Sequence, residues 1–183
     1  ASLLLDGTGD FVTVTDFADA TPGTDDWLLE CWIRPTVNNT YKAIISKRPD
    51  VASNGYWIFY TDPTGKLQFV GVNTAGTVVV VCTGTTTVTT NTWHHVGVLS
   101  VGTTWGVLLD GVVDATTTET GTVAGGGTQA VRFGSDVTGQ TTRYFNGHEE
   151  EMRIVKGAEV AGIYPNALTS LVYDVPVSPF EKG

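Results

Sequence analysis

Three consecutive glutamates at residues 149–151 are the side chains in this sequence best suited to acid–base catalysis. Hydrolysis of a glycosidic bond needs two carboxyl groups about 5–5.5 Å apart for retention, or ~6.5–9.5 Å apart for inversion. Side chains alternate between the faces of a β-strand, so Glu149, Glu151 and Arg153 should share one face. Ile154 stands where a third acid would be needed. We therefore predict a solvated acidic face with Arg153 as an ion-pair partner, and no enzyme activity.

The histidines do not indicate a metal site or a nucleophilic enzyme. His94 and His95 are adjacent, so on a strand they point to opposite faces and cannot bind one ion together. His148 is distant along the chain. No Ser–His–Asp signature, phosphate loop or nucleotide fingerprint is present. We expect neither zinc nor a nucleophilic mechanism.

The tryptophans could form a surface on which sugar rings stack, or they could fill a hydrophobic core. We expect most of the five to lie in the core. Trp105 stands beside a glycine-rich hairpin and Tyr144 lies in a polar loop. These two aromatic residues are the ones we predict at the surface as ligand-binding residues.

The overall charge excludes some partners. The chain carries a net charge of −9, and no basic patch could displace counterions from nucleic acid. An acidic surface suits divalent cations or a basic partner instead. The first residues show no basic region and no long apolar run. We expect no nucleic-acid or membrane partner, no signal peptide, and synthesis in a cytosol.

The elements that position these residues are predicted to be short strands. Residues 27–34 alternate, with Leu29, Cys31 and Ile33 facing one way, which is typical of a β-strand. Asp-Pro-Thr-Gly at residues 62–65 and Asp-Gly at residues 110–111 predict hairpin turns. The sequence therefore predicts an all-β, two-sheet antiparallel sandwich of about a dozen strands.

The last part of the chain has a different character. Gly162 and Pro165 interrupt the best helical candidate, residues 158–171, so no helix is predicted. We expect a domain over residues 1–157 and an extended segment over residues 158–183. That segment is either a strap on its own domain or an arm that reaches a neighbour.

The two cysteines, Cys31 and Cys82, lie in apolar, strand-like runs. They are expected to be buried thiols, and a disulfide between facing strands is the alternative.

Several segments resemble the laminin-G-like branch of the concanavalin A-like jelly-roll superfamily. Residues 5–12 (L-D-G-T-G-D-F-V) and 27–34 (W-L-L-E-C-W-I-R) are similar to the family's opening strand and its E-x-W strand. Residues 93–98 (W-H-H-V-G-V) and 108–111 (L-L-D-G) are similar to its W-H-H-V-A…L-Y-V-D-G block. These two pairs of segments occur along the chain in the same order as in the family.

A further segment resembles the family's ending, I-G…F-x-G-x-I-D-E-V-R-I. It comprises residues 132–134 (R-F-G) and 145–154 (F-N-G-H-E-E-E-M-R-I). The resemblance covers about residues 3–155 and implies a jelly-roll sandwich. The family includes lectins, glycanases, adhesion modules and virion proteins, so the fold alone does not define a function.

Residues 153–158 (R-I-V-K-G-A) and 176–180 (P-V-S-P-F) are similar to the ending of laminin-G-like modules in bacteriophage structural proteins. This resemblance implies a non-catalytic virion protein, either a capsid decoration (cement) protein or a tail-associated module. Its partners would be a major capsid or tail protein, or further copies of itself in a homo-oligomer. The partner-binding residues would be Tyr164, Tyr173, Pro176, Pro179 and Phe180.

A calcium ion would need several oxygen ligands from loops. Glu150 shares its strand face with Met152 and Ile154, so we expect it to point inward. It also occupies the place of a family Asp that helps to hold Ca²⁺ in laminin-G-like domains. Asp10 is the second candidate ligand, although it could instead cap a turn. No other cofactor is expected.

The alternative function is a lectin-like carbohydrate-binding module, with or without calcium. The fold and the supply of Trp and Asp motivate it. This alternative predicts a concave face with exposed aromatic residues and saturable glycan binding.

Overall fold

The computed structural model describes residues 2–49, 55–137 and 142–163 of the 183-residue chain. Within these ranges the chain forms strands almost throughout. The strands are β1 Leu3–Asp6, β2 Val12–Val14, β3 Trp27–Pro35, β4 Lys42–Lys47, β5 Tyr56–Thr61, β6 Lys66–Val72, β7 Val78–Thr87, β8 His94–Val101, β9 Thr104–Leu109, β10 Val112–Thr118, β11 Val131–Phe133 and β12 Asn146–Lys156. A 3₁₀ turn, Ala18–Ala20, precedes β3, and a helix, α1 Ala158–Ile163, follows β12.

The strands form two antiparallel sheets of six strands each. Sheet A has the order β1-β12-β3-β8-β9-β10, and sheet B has the order β2-β11-β4-β5-β6-β7. Strands distant in sequence are neighbours, since β3 pairs with both β12 and β8. The all-β, two-sheet prediction is confirmed.

Alternation along the strands builds the core between the sheets. Leu29, Cys31 and Ile33 are fully buried in the main core cluster, as their spacing predicts. Aromatic rings fill its centre: Trp27 meets Trp57 edge-on with the ring centroids 5.4 Å apart. The hydrophobic effect stabilises this cluster in proportion to the apolar area that it removes from water.

The predicted hairpins are present. Residues 62–65 join β5 to β6, and the Gly65 N–H donates to the Asp62 carbonyl over 2.9 Å. Asp110 and Gly111 join β9 to β10 with positive φ angles of 50° and 82°. Positive φ at both central residues gives a turn whose twist matches that of the strands.

The helix α1 corrects the expectation that no helix would form. The chain turns at Gly157, whose φ is +74°. Val160 is then fully buried with Leu28, Leu99 and Val155 in a second cluster, on the outer face of sheet A. This tertiary contact stabilises a helix too short to form by itself. The remainder of the predicted segment, residues 164–183, lies outside the described residues.

A β-bulge in β12 reverses the predicted orientation of two glutamates. The register against β3 shifts between Glu150 and Arg153, and Glu151 has a φ of 53°. Before the bulge Glu149 lies opposite the inward-facing Ile33 and is fully buried. The prediction that Glu149 lies on a solvated face is wrong, because the bulge adds one residue to β12 and breaks strict alternation.

The bulge also separates Glu150 from the apolar residues that follow it. Glu150 lies opposite Trp32 on the outer face and is half-buried. Met152 and Ile154, beyond the bulge, pack against the main core as predicted. The expectation that Glu150 points inward with them is therefore wrong.

The two cysteines are buried free thiols. Burial raises the pKa of Cys82 to about 11, and it also raises the pKa of Cys31. This confirms the expectation of buried thiols over that of a disulfide. No helix within the described ranges is long and apolar enough to cross a membrane.

Candidate functional site

The strand that carries the acid run does not form a catalytic cleft. Glu149 is 0% exposed, and neither of its carboxylate oxygens has a hydrogen-bond partner among the described residues. Burial raises the pKa of this carboxyl well above its ordinary value. A substrate cannot reach Glu149, so it cannot form the pair of carboxyl groups that glycoside hydrolysis requires.

The two predicted calcium ligands lie apart. Asp10 is exposed after β1, and its Oδ2 accepts a hydrogen bond of 3.2 Å from the Asp6 N–H, which is the turn-capping role. Asp6 pairs with Asn146, and Glu150 follows Asn146 by four residues, which is about 13 Å along a strand. Among the described residues, no group of three or more His, Cys, Asp or Glu side chains is placed to hold a metal ion.

The predicted surface aromatics are buried. Trp105 is 3% exposed and stacks on Phe69 with ring centroids 5.2 Å apart. Tyr144 is 7% exposed and lies beside Phe11. The expectation that both are surface residues is wrong, because Trp105 points between the sheets and Tyr144 lies directly before the fully buried Phe145. The predicted partner-binding residues Tyr164, Tyr173, Pro176, Pro179 and Phe180 lie outside the described residues.

The outer face of sheet A carries an ionic cluster around the buried Glu30, which joins the buried His95 to the exposed Arg153. Arg153 Nε donates to Glu30 Oε1 over 2.6 Å, and His95 Nε2 lies 3.5 Å from Glu30 Oε2. Burial lowers the pKa of His95, while Glu30 acts in the opposite direction. Trp32 meets His95 edge-on and is 8% exposed. These groups stabilise the sheet and do not form an open aromatic platform.

An open groove lies at one end of the sandwich, around the loop of residues 119–127. We call it the rim groove. It consists of three depressions of about 560, 330 and 240 Å³ that share lining residues. The two larger ones fall within the roughly 300–1,000 Å³ typical of ligand sites. The lining includes hydroxyl side chains, glycine backbone and two carboxylates, from Thr21, Thr24, Ser100, Thr103, Thr120, Thr122, Gly121, Gly125, Asp25 and Glu119.

The floor of the smallest depression reaches the space between the sheets. Ser100 and Trp105, which face each other across the β8–β9 pair, both line it. Ser100 is 1% exposed, and no hydrogen bond of its hydroxyl is found in the part of the chain that the structure describes. The Ser100 hydroxyl can therefore bind a polar ligand, while Trp105 supports the floor from the core.

A buried lysine joins the two loops that form the groove. Lys47 is 0% exposed, and its Nζ lies 2.6 Å from Asp16 Oδ1. The same ammonium group donates to the carbonyl of Gly127 over 3.0 Å and to the hydroxyl of Thr21 over 3.3 Å. Burial of a charge is tolerated only with such partners. Lys47 thus holds residues 16–21 against the loop that follows β10.

Two indoles fix the same loop from below. Trp27 Nε1 donates to the Asp19 carbonyl, and Trp57 Nε1 donates to the Ala20 carbonyl, both over 2.8 Å. These carbonyls belong to the 3₁₀ turn, which is too short to supply them with backbone N–H donors of its own. A close approach at Gly125 completes the packing, since a Cβ there would lie 1.8 Å from Thr21 Oγ1. The rim groove is therefore built on rigid supports.

Sequence reasoning did not identify the groove. The signal was the density of Thr and Gly in residues 117–127, which are the residue types that supply hydroxyls and accessible backbone. The residues that complete the groove, such as Thr24 and Ser100, come from other parts of the chain.

The fold and this groove define the molecule as a β-sandwich domain with an open polar cleft at one rim. The profile of the concanavalin A-like lectin/glucanases superfamily, in its laminin-G form, matches residues 6–160. The chain belongs to this superfamily, and the predicted family and jelly-roll fold are confirmed. No curated protein matches the chain.

Solved structures with the same fold include three from different sources. The Ruminococcus gnavus IT-sialidase CBM40 bound to alpha2,3 sialyllactose is 14% identical with a TM-score of 0.61, over 81% of this chain and 92% of that one. Domain 4 of a Geobacillus stearothermophilus GH43 extracellular arabinanase, in complex with arabinotriose, is 15% identical with a TM-score of 0.61, over 85% and 70%. Mouse laminin alpha1 domains LG4-5 are 12% identical with a TM-score of 0.62, over 84% and 40%. At such low sequence identities, the structural similarity shows that these proteins share a fold and nothing further.

Proposed function

We propose that this domain binds carbohydrate in the rim groove and is not catalytic. The observation that carries the proposal is the chemistry of the groove lining. The Ser100 hydroxyl lies at the base of an open cleft whose walls supply hydroxyls, carboxylates and the exposed apolar side chains of Val78 and Val81. Sugars combine hydroxyl groups with apolar ring faces, so a site of this kind can contact both.

Two of the structural neighbours support this proposal through what they bind. The Ruminococcus gnavus module is bound to sialyllactose, and the Geobacillus stearothermophilus domain is bound to arabinotriose. Within the acid run Glu149 is fully buried, which favours binding over hydrolysis.

Binding to a glycan array, with and without calcium, tests the proposal. We expect saturable binding to at least one glycan. In isothermal titration with that glycan, Thr24→Trp should lower the affinity at least about tenfold, because Thr24 is exposed and lines the groove. Thr116→Trp is the matched control, since Thr116 is exposed on β10 and lies outside the groove lining. An array without hits would refute the proposal, and equal losses in both variants would move the site elsewhere.

The interpretation as a capsid decoration or tail protein of a virion stays a prediction. It depends on residues 164–183, which lie outside the described residues, and the comparisons do not bear on it. Light scattering on the full chain and on a chain ending at Gly162 tests it. An oligomer that becomes a monomer on shortening would support an assembly role, and a monomer in both cases would contradict it.

A further inference from the structure

The charges at the rim groove are predominantly negative. The side chain of Asp25 is 59% exposed, and half-buried Glu119 lines the same depression. Asp26, next along the chain, accepts a hydrogen bond from the Gly102 N–H over 2.8 Å. The field of these carboxylates adds to that of a chain whose net charge is −9.

The cations near the groove are already paired with acids. Lys156 Nζ lies 3.2 Å from Asp25 Oδ2, and the buried Lys47 is held by Asp16. Neither an arginine nor a lysine appears among the described residues that line the three depressions. Lys156 offsets much of the charge of Asp25, whereas no ion pair within the described ranges involves Glu119, so Glu119 is the carboxylate that would repel an anionic ligand most strongly.

Carboxylates at a binding site discriminate between classes of glycan. A carboxylate accepts hydrogen bonds, so it favours a sugar hydroxyl as donor. It repels the carboxylate of a sialic or uronic acid, and one like-charge contact at about 4 Å in water lowers affinity roughly fivefold. Repulsion is stronger where the site excludes water.

We propose that the rim groove is selective for uncharged glycans, with Asp25 and Glu119 as the residues that determine this selectivity. The inference rests on the proposed function, because it concerns the ligand class of the same site. The buried Ser100 hydroxyl, aimed into the groove without a partner among the described residues, adds a polar contact that a neutral sugar satisfies. In this respect the domain differs from a module that is bound to sialyllactose.

An array of matched pairs tests the proposal. Each neutral oligosaccharide is printed beside the same oligosaccharide capped with a sialic or uronic acid, and lactose with 3′-sialyllactose is the first pair. We expect the neutral member to bind at least about fivefold more tightly in low salt. The ratio should shrink as salt is added, because ions screen the repulsion.

The double variant Asp25→Asn, Glu119→Gln locates the selectivity. It should lower the ratio of neutral to charged affinity by about an order of magnitude, since it removes the repulsion by Glu119 and releases Lys156 from its pair with Asp25. Glu150→Gln is the matched control. Glu150 is half-buried like Glu119, but it lies about 20 Å along β12 from Lys156, the ion-pair partner of Asp25, and is therefore remote from the groove. It should leave the ratio unchanged.

The outcomes separate the two proposals. Charged members that bind as tightly as neutral ones, or a double variant that keeps the parent ratio, would overturn the selectivity and leave carbohydrate binding standing. An array on which neither member of any pair binds would overturn both.

Discussion

Replacement of the buried Glu149 should change how stability depends on pH. This carboxyl is fully buried, with no hydrogen-bond partner in the part of the chain that the structure describes, and burial raises its pKa well above the ordinary value of 4.5. In the unfolded chain it ionises near its ordinary pKa, whereas in the folded chain it keeps its proton to higher pH. The unfolded state therefore releases this proton first as pH rises, and the folded state loses stability.

The expected magnitude follows from proton linkage. Stability falls by about 1.4 kcal/mol for each pH unit above the unfolded pKa, until the folded pKa is reached. Glu149→Gln keeps the shape but cannot ionise, so its free energy of unfolding should rise relative to the parent by the same slope. Glu149→Leu should stabilise the fold by roughly a further 1–3 kcal/mol, because it also removes a buried polar group without a partner.

Urea unfolding at half-unit steps from pH 4 to pH 8 measures this effect. The difference between Glu149→Gln and the parent should be small near pH 4 and grow as pH rises. Glu150→Gln on the outer face is the control, because that side chain is half-buried and reaches solvent. A difference that stays constant across this range would refute the assignment of Glu149 to the interior in a protonated form.

Three further predictions concern the supports of the groove and the thiols. Gly125→Ala should destabilise the fold and weaken glycan binding, because the added Cβ would lie 1.8 Å from Thr21 Oγ1. Gly102→Ala, which has open space and a φ of +57°, should cost only about 1–2 kcal/mol in thermal unfolding. Trp57→Phe removes the hydrogen-bond donor to the Ala20 carbonyl. Urea unfolding should show that the free energy of unfolding falls by about 1–3 kcal/mol. An unchanged free energy would contradict the role of Trp57 as a support of the loop. The thiols of Cys31 and Cys82 should resist a thiol reagent at pH 8 until urea is added, because burial raises both pKa values; rapid labelling of the folded protein would show that they are accessible.

The fold could be predicted because its signals are local. The alternation through Leu29, Cys31 and Ile33 identifies β3 as a strand, and the Asp110-Gly111 turn indicates a hairpin through its backbone preference. Each of these features depends on residues within one or two strands. The topology followed from motifs that occur in a known order.

The orientation of the acid run could not be predicted. The bulge at Glu151 leaves no mark in the composition of β12, and one additional residue is enough to exchange the buried and exposed positions. The short helix α1 depended likewise on the contact of Val160 with Leu28 and Leu99, which are far away in sequence.

The groove could not be predicted from short segments of the sequence either. Trp105 was expected at the surface from its neighbours in sequence, but its position opposite Ser100 in the β8–β9 pair places it under the loop of residues 119–127. Only the folded arrangement brings Thr24, Ser100 and Glu119 to one depression.

The ammonium group of Lys47 has a consequence for the order of folding. It joins Asp16 to Gly127, so its contacts close chain loops of 31 and 80 residues. Long loops of this kind close slowly, and we expect this junction to form late, after the local hairpins. Binding competence would then appear only with the last step of folding. The fraction of molecules that bind a glycan would therefore report how much of a preparation has reached the native state, even where its content of β-structure is already complete.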